Sequence, residues 1–468
     1  MSSTDVTAVA ARADAAFDAT LARLVDYLRI PAISCDAAHA GDVAALAARI
    51  RDDLEALGFD RSRVLELEGA LPSVAAERCP HPHAPTLLIY GHLDLQPVAG
   101  EPWSTPPHEA VTKEGRLYAR GSADDMGGWV SHLAALEAWL AEAGELPLNV
   151  RLFIEGEEEI GSPNLERFMD AYPDAFAADV MVLTDCENPS VDIPGLTISL
   201  RGLLELEVTC TALDADVHSG LWGNAVPDPA LALVLLLARL VDADGRLALG
   251  RQEVDPAWRE ASRDVPLGDE VVRTGARLAE GVAPLPVHER SRAEWLWRQP
   301  AMTVLSTTLP PPGREKNAIR TAAGAKLSFR VAPGQTPAEL EALVRAELER
   351  DPPGGVKVAV TRHATAESWL YAPKGPAFPA ADRAYEKAWG KPLLPIGVGG
   401  TIPFVAMFGR RFGDLPLILN GVMDPRTGAH GPDESMDLEV FRKAIRANVH
   451  LYDELARVPA LAPEIAAE

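Results

Sequence analysis

The stretch TLLIYGHLDLQP, residues 86–97, joins a short apolar run to a histidine and an aspartate. An apolar run of this length that ends at Gly91 is typical of a buried strand. His92 and Asp94 follow at the point where the carboxyl end of a parallel strand presents side chains to a ligand. A metal-bound histidine usually donates its second ring N–H to a carboxylate, and Asp94 could accept it. A strand-end turn with a chance histidine is the alternative interpretation.

Strand and helix patterns alternate around this stretch. Residues 149–154 and 179–183 have the apolar character of further strands, and residues 8–29, 42–57 and 127–143 have the spacing of helices. Strands that alternate with helices form a mostly parallel sheet whose two faces are both covered. The fold class predicted is therefore α/β, with helices on both faces of the sheet.

The pattern changes from about residue 196, where long alternating strands begin, and residues 250–315 form a loose stretch rich in Pro, Arg and Trp. The first pattern returns after about residue 378. We therefore predict an α+β domain of residues 198–378 that interrupts an α/β domain of residues 1–197 and 379–468. An insertion of about 180 residues is an ordinary domain size.

Four further segments bring acidic or imidazole side chains to strand ends or glycine-rich turns. They are RGSADDMGG (120–128) with Asp124, FIEGEEEIGS (153–162) with Glu158 and Glu159, VMVLTDCENP (180–189) with Asp185, and GVMDPRTGAHGPDE (421–434) with His430. Each alone could be a capped turn or a polar loop. One of the two adjacent glutamates could act as a base and the other as a ligand. Together with His92, the segments then predict a site with two histidines and three carboxylates as ligands, a mixture that suits Zn²⁺, Mn²⁺ or Co²⁺ better than Ca²⁺.

Composition excludes several other kinds of partner. The formal net charge of −24 argues against nucleic acid and against an anionic membrane surface, since both attract basic proteins. The longest apolar run, residues 230–240, is too short to span a bilayer, and the first twenty residues lack the pattern of a secretory signal. Four scattered cysteines indicate reduced thiols, and we expect a cytoplasmic protein.

The five segments, in this order and at these spacings, resemble the M20 metallopeptidases, and among them the carnosinase-like and cytosolic non-specific dipeptidase-like enzymes. The resemblance covers nearly the whole chain. It implies a zinc-peptidase-like catalytic domain with an inserted lid and dimerisation domain. It also implies two divalent metal ions per subunit, with zinc expected and manganese or cobalt as alternatives. By resemblance, His92 and Asp185 hold one ion, Glu159 and His430 hold the other, and Asp124 bridges them.

The same resemblance implies roles in catalysis and substrate binding. Glu158 would be the general base and Asp94 would orient His92. In a homodimer, His218 of DVHSGLWGN (216–224) would reach into the partner subunit's site. Three further residues would contact the peptide substrate: Arg330 of LSFRVAP (327–333), which would bind its carboxylate, Thr401 of GGTIP (399–403) and Asn317.

These features predict metal-dependent hydrolysis of dipeptides or short peptides with a free C-terminal carboxylate. An M20-type N-acyl amino acid amidohydrolase is the alternative, although the long insertion favours a dipeptidase. A non-catalytic metal-dependent binding protein is a third possibility, and retention of Glu158 argues against it. Departures from the family pattern at Met126, Asn224, Gly397 and Val398 leave the preferred substrate open.

Overall fold

The computed structural model describes residues 5–309, 313–400, 403–413 and 415–461 of the 468-residue chain. The chain divides into two compact units. The first consists of Met1–Thr197, Ala372–Ile396 and Met407–Glu468, and the second of Ile198–Tyr371 and Gly397–Ala406. Compared with the division predicted from sequence, residues 372–378 group with the first unit and residues 397–406 with the second.

The secondary structure of the described residues alternates between strands and helices for most of the chain. The strands are β1 (Asp60–Leu65), β2 (Ser73–Arg78), β3 (Thr86–His92), β4 (Val111–Lys113), β5 (Arg116–Tyr118), β6 (Asn149–Glu155), β7 (Val180–Leu183), β8 (Gly195–Leu200), β9 (Gly202–Thr211), β10 (Val217–His218), β11 (Ala301–Thr307), β12 (Ala318–Ile319), β13 (Ala322–Val331), β14 (Lys357–Ala366), β15 (Trp369–Leu370), β16 (Leu394–Val398), β17 (Leu417–Leu419) and β18 (Ser435–Asp437). The α-helices are α1 (Val6–Ala15), α2 (Phe17–Leu28), α3 (Ala40–Ala56), α4 (Met126–Ala143), α5 (Leu165–Ala171), α6 (Pro173–Phe176), α7 (Ser219–Trp222), α8 (Pro229–Arg239), α9 (Pro256–Ala261), α10 (Asp269–Gly275), α11 (Arg292–Trp297), α12 (Pro337–Glu349), α13 (Ala377–Trp389), α14 (Pro403–Phe412) and α15 (Leu438–Ala456). None of these described helices is both long enough and apolar enough to cross a membrane.

The first unit is built on a six-stranded sheet in the order β1-β2-β6-β3-β7-β17. Strands β6, β3, β7 and β17 run parallel, and β1 and β2 add antiparallel pairs at one edge. Successive residues of a strand lie on opposite faces of the sheet, so the neighbours of Tyr90 and Gly91 in β3 identify the helices that cover the two faces. The Tyr90 ring packs on Phe408 of α14, and Gly91 lies against Trp129 of α4. Helices therefore cover both faces, and the predicted fold class is confirmed.

The second unit contains a four-stranded antiparallel sheet in the order β11-β13-β9-β14. Every second residue of β9 is buried, which is the pattern of a sheet with one face on the core. The core lies between this face and helices α8 and α12, and its fully buried members include Leu206, Leu236, Phe329 and Leu340. A sheet covered by helices on one face is an α+β arrangement.

Two local predictions were wrong. Residues 8–29, predicted as one helix, form α1 and α2 with a break at Ala16, whose N–H is shared between the carbonyls of Arg12 and Ala13. Residues 250–315, predicted as a loose stretch, contain α9, α10, α11 and β11. Strand β11 owes its conformation to pairing with β13, and a local pattern does not reveal such a long-range pairing.

Candidate metal centre

The carboxyl ends of three neighbouring strands bring the predicted site together. His92 is the last residue of β3, Glu158 and Glu159 lie in a single helical turn after β6, and Asp185 follows β7. Strand β3 lies between the other two and is parallel to both, so all three ends open at one edge of the sheet. Asp124 lies in the turn before α4 and completes this group.

Asp124 is the centre of the arrangement. Its Oδ1 lies 3.2 Å from His92 Nε2, and its Oδ2 lies 3.1 Å from His430 Nε2. His430 Nε2 also lies 3.3 Å from Glu159 Oε2. Two groups of potential metal ligands share Asp124, namely His92, Asp124 and Asp185, and Asp124, Glu159 and His430. Within each group the ligand atoms lie within 4.8 Å of one another.

Asp94 connects His92 to the turn that carries the two glutamates. His92 Nδ1 lies 3.1 Å from the backbone carbonyl oxygen of Asp94 and 3.5 Å from its carboxylate. The carboxylate accepts hydrogen bonds from the backbone N–H groups of Glu158 (3.1 Å) and Glu159 (3.0 Å). Gln96 donates a further hydrogen bond of 2.7 Å from Nε2 to the Glu159 carboxylate. Asp94 therefore holds both the histidine and the glutamate turn in place.

Glu434 has a structural role at this site that the sequence reasoning missed. Its buried carboxylate accepts hydrogen bonds from the backbone N–H groups of Gly121 (3.1 Å), Ala123 (3.1 Å) and Asp124 (3.2 Å). It also pairs with the buried Arg120 guanidinium at 2.9 Å. Glu434 thus shapes the turn that presents Asp124. Its position four residues after His430 was the available signal.

The Asp125 side chain occupies a space that exists because two neighbouring residues, Gly91 and Gly128, have no side chains. Its carboxylate accepts hydrogen bonds from Thr184 Oγ1 at 2.6 Å and from the His92 N–H at 3.2 Å. A Cβ atom on Gly91 would lie 2.6 Å from Asp125 Oδ2, and one on Gly128 would lie 2.1 Å from Asp125 Oδ1. These two glycines are therefore required for close packing, and Asp125 supports the backbone of His92.

Burial and mutual repulsion dominate the electrostatics of the carboxylates. Burial raises the pKa of Glu158 and of Glu159 well above the usual range, and neighbouring carboxylates raise both further. Burial, reinforced by the Asp124 charge, raises the pKa of Asp185 to about 7. Asp124 differs because hydrogen bonds with His430 and His92 outweigh its burial and keep its pKa below the usual range.

The residues present fit two divalent cations. Buried carboxylates in this number need nearby positive charge, and the raised pKa values of Glu158, Glu159 and Asp185 are the signature of that need. The imidazole and carboxylate ligands match those of sites for divalent metals. A carboxylate shared by two ligand groups, as Asp124 is, suits a dinuclear arrangement.

The remaining predicted residues lie in the second unit, except Thr401, which lies outside the described residues. His218 is exposed at the end of β10, and its strand pairs with β12, so that Ala318 is its partner. The Asn317 carbonyl accepts a hydrogen bond of 3.1 Å from the Ser219 N–H, which brings Asn317 and His218 close together. Arg330 lies on β13 between the paired residues Ala301 and Leu203.

Gly397 explains one departure from the family pattern. A Cβ atom at this position would lie 2.5 Å from Ser199 Oγ and 2.6 Å from the Trp297 Cβ. Both distances are shorter than side chains allow, so position 397 has no space for a residue larger than glycine.

Comparisons with known proteins identify clear relatives. The model of peptidase family M20/M25/M40 matches residues 88–454. The cysteinylglycine-S-conjugate dipeptidase of Corynebacterium striatum is 34% identical over 387 residues, which cover 82% of this chain and 84% of that protein. The Cys-Gly metallodipeptidase dug1 of Schizosaccharomyces pombe is 27% identical over 461 residues, 94% of this chain and 96% of its own. The crystal structure of human carnosine dipeptidase 1 is similar with a TM-score of 0.77 at 25% identity, covering 97% of this chain and 99% of that one.

Proposed function

Because the chain belongs to peptidase family M20/M25/M40 and is a peptide-bond hydrolase, we propose that it cleaves dipeptides and short peptides with a free C-terminal carboxylate. The observation that carries this proposal is the pair of ligand groups that share Asp124, with Glu158 beside them. Relatives that match this chain over most of their length are named dipeptidases, so the N-acyl amino acid amidohydrolase alternative is not favoured.

The proposed metal ligands follow the two groups around Asp124. His92 and Asp185 would hold one ion, Glu159 and His430 would hold the other, and Asp124 would bridge them. Zinc is the expected metal, and manganese or cobalt would suit the same ligands. Two such ions, when bound, lower the pKa of a water molecule and polarise a carbonyl oxygen.

Glu158 is proposed to move the proton during hydrolysis. Its carboxylate would take a proton from the attacking water and deliver it to the nitrogen of the leaving amine. Two observations support this role: the pKa of Glu158 is raised by burial, and its backbone is fixed by the hydrogen bond to Asp94. Asp94 would keep both His92 and Glu158 oriented, since its own atoms contact each of them.

The second unit is proposed to act as lid and dimerisation domain, with His218 serving the partner subunit's site and stabilising the developing oxyanion there. The exposed position of His218 supports this proposal. Helix α8 exposes an apolar stripe of Leu231, Val234 and Leu235, at 66%, 54% and 54%, which is typical of a surface that a partner covers. Strand β11 at the edge of its sheet adds a second such surface.

Substrate binding is proposed to involve Arg330, Asn317 and Thr401. Arg330 would hold the terminal carboxylate by paired, charge-assisted hydrogen bonds. Thr401 and Asn317 would contact the substrate from their loops. A cytoplasmic location is proposed with this function, because the four cysteines are all free thiols, as a reducing compartment requires.

The function is tested by metal removal and by one matched pair of variants. Protein stripped with a chelator and reloaded with zinc, manganese or cobalt is assayed on dipeptides and on N-acyl amino acids, and only the reloaded protein should hydrolyse the dipeptides. Glu158→Gln should lower kcat by roughly 10²–10⁴-fold with bound metal unchanged. Glu166→Gln makes the same chemical change at an exposed position of α5 and should retain full activity. Near-normal turnover by Glu158→Gln would show that its assigned role is wrong.

The shared site is tested by mixing two inactive variants. In a heterodimer of Glu158→Gln and His218→Ala subunits, one site keeps its own Glu158 and receives an intact His218 from the partner. Mixing should therefore restore activity that neither variant has alone. If the mixture stays inactive although heterodimers form, His218 does not act in the partner's site.

A further inference from the structure

Arg116 is a fully buried arginine that the proposed reaction does not use. It begins strand β5, and its side chain is only 1% exposed. Two carboxylates lie beside it, Asp424 at 2.8 Å from Nη2 and Asp437 at 3.5 Å from Nη1. Removing a guanidinium group from water costs free energy that its ion pairs often fail to offset, so a buried ion pair is weak evidence for stability. A role in fixing local geometry explains this buried arginine better.

The Arg116 guanidinium contacts both ends of the loop of residues 424–435, named the His430 loop after the predicted ligand at its tip. At the first end, Nη2 lies 2.8 Å from the Asp424 carboxylate. At the second end, Nε donates to Ser435 Oγ at 2.9 Å, and Nη2 donates to the Ser435 backbone carbonyl at 2.9 Å. One planar group with donors in several directions therefore joins the two ends of the loop.

The two ends of the His430 loop are also bonded to each other. The Ser435 N–H donates to the Thr427 carbonyl at 2.9 Å, and Thr427 Oγ1 accepts from the Asp424 N–H at 2.9 Å. The tip differs, because the His430 side chain is 59% exposed and its backbone has a φ of 62°. A residue other than glycine keeps such a conformation only where the surrounding structure imposes it. The closed base of the loop is the part that can impose it.

The other predicted ligands are held by different parts of the first unit. His92 ends β3 and Asp185 follows β7, so the parallel sheet sets both positions. Asp124 is supported by Glu434, which lies in the His430 loop but whose carboxylate has its own buried arginine partner at 2.9 Å. A change at Arg116 should therefore reach the tip of the loop and leave the ligands on the sheet in place.

We propose that Arg116 is a positioning residue for one of the two metal ions, because it fixes the loop that supplies His430 as a ligand. The inference rests on the proposed function, in which Glu159 and His430 hold this ion. Arg116 acts through the loop and contacts neither the metal nor the substrate. Lysine cannot replace it, because a single ammonium group on a flexible chain cannot keep the contacts with Asp424 and with Ser435 in one geometry.

The test titrates metal-free, full-length protein with zinc against a chromophoric chelator and measures the affinity for each of the two ions. His430→Ala removes one ligand and thereby identifies the binding step that belongs to the ion held by Glu159 and His430. Arg116→Lys should weaken the same step by about 10–100-fold and leave the other step unchanged. Arg29→Lys is the matched control, because it makes the same change at a side chain that is 62% exposed, and both steps should match the wild type.

Urea unfolding of the metal-free variants separates this role from a merely structural one. If Arg116 only stabilised the fold, Arg116→Lys would unfold more easily while both zinc affinities stayed at their wild-type values, and the inference would be overturned. Equal weakening of both steps would overturn it as well.

A milder variant keeps the test decisive if Arg116→Lys does not fold. Ser435→Ala removes only the hydroxyl that accepts from Arg116 Nε, and it should weaken the same step by a smaller factor. Unchanged affinities for both ions in this variant would overturn the inference, whereas hydrolysis of dipeptides by the wild type would still support the proposed function. If the wild-type protein bound no divalent metal, the proposed function would fail and the inference with it.

Discussion

Replacing Glu434 by glutamine tests how far the turn before α4 depends on one buried carboxylate. In the native protein each carboxylate oxygen of Glu434 accepts two hydrogen bonds. Oε1 accepts from the N–H groups of Ala123 and Asp124, and Oε2 accepts from the Gly121 N–H and from the Arg120 guanidinium. Glutamine is almost the same size, but one of its two atoms is an NH₂ group that donates instead of accepting.

The expected loss of stability follows from this count of donors. Whichever way the amide is oriented, two buried donors lose their acceptor and face an NH₂ group. A buried donor left without an acceptor costs about 1–3 kcal/mol, so the free energy of unfolding should fall by about 2–6 kcal/mol. Asp124 should also shift, and because Glu434 acts on the proposed metal site only through the backbone of this ligand, metal affinity should fall by about 10–100-fold.

The assay combines urea unfolding of the metal-free protein with a competition titration against a chromophoric chelator. Glu114→Gln is the matched control, because its side chain is 70% exposed and its contact with Lys113 is a surface ion pair. Such pairs contribute about 0–1 kcal/mol, so the control should unfold and bind metal like the wild type. If Glu434→Gln behaved like this control in both measurements, the proposed support of Asp124 by Glu434 would be refuted.

Two further changes test packing and burial in the first unit. Gly128→Ala should lower the free energy of unfolding, measured by urea unfolding, by at least about 1–3 kcal/mol, because the new Cβ would meet Asp125 Oδ1 at 2.1 Å. The control is Gly41→Ala in the first turn of α3, where a Cβ meets no other atom, and this variant should be more stable than the wild type. Burial lowers the pKa of His132 to about 3, below the value of 6.5 in an unfolded chain, so the unfolded state binds the proton first as the pH falls. This histidine should therefore lower the free energy of unfolding by about 1.4 kcal/mol for each pH unit between pH 6.5 and pH 3. Urea unfolding of His132→Gln over the same range should lack this contribution. Equal pH profiles for the two proteins would contradict the reasoning.

Much of the fold class could be predicted from local pattern. The apolar runs of β3, β6 and β7 are recognisable because a strand buried on both faces is apolar throughout. The break at Ala16 could not be predicted, since the neighbouring alanines carry no helix-breaking signal and the helical spacing continues through them. Strand β11 was missed for a related reason: its partner β13 begins many residues later in the chain.

The candidate site, like the fold, could be predicted from the sequence only in part. The sequence by itself determined which residue types stand at strand ends, and His92, Glu158, Glu159 and Asp185 could be chosen on that basis. Their selection required only local information, because the end of a strand is visible in a short window of sequence.

Only the tertiary structure decided how these groups face one another. It brings His430 to the second oxygen of Asp124, directs the Asp94 carboxylate to the backbone of the glutamate turn, and places Glu434 under a turn 310 residues away in the chain. Hydrogen bonds over such separations form only when the parallel sheet has brought the strand ends to one edge. The physical reason is that the residue type and its local position determine which hydrogen bonds or metal contacts a side chain is able to make. The packing of the folded chain determines which partner atoms lie within reach of it.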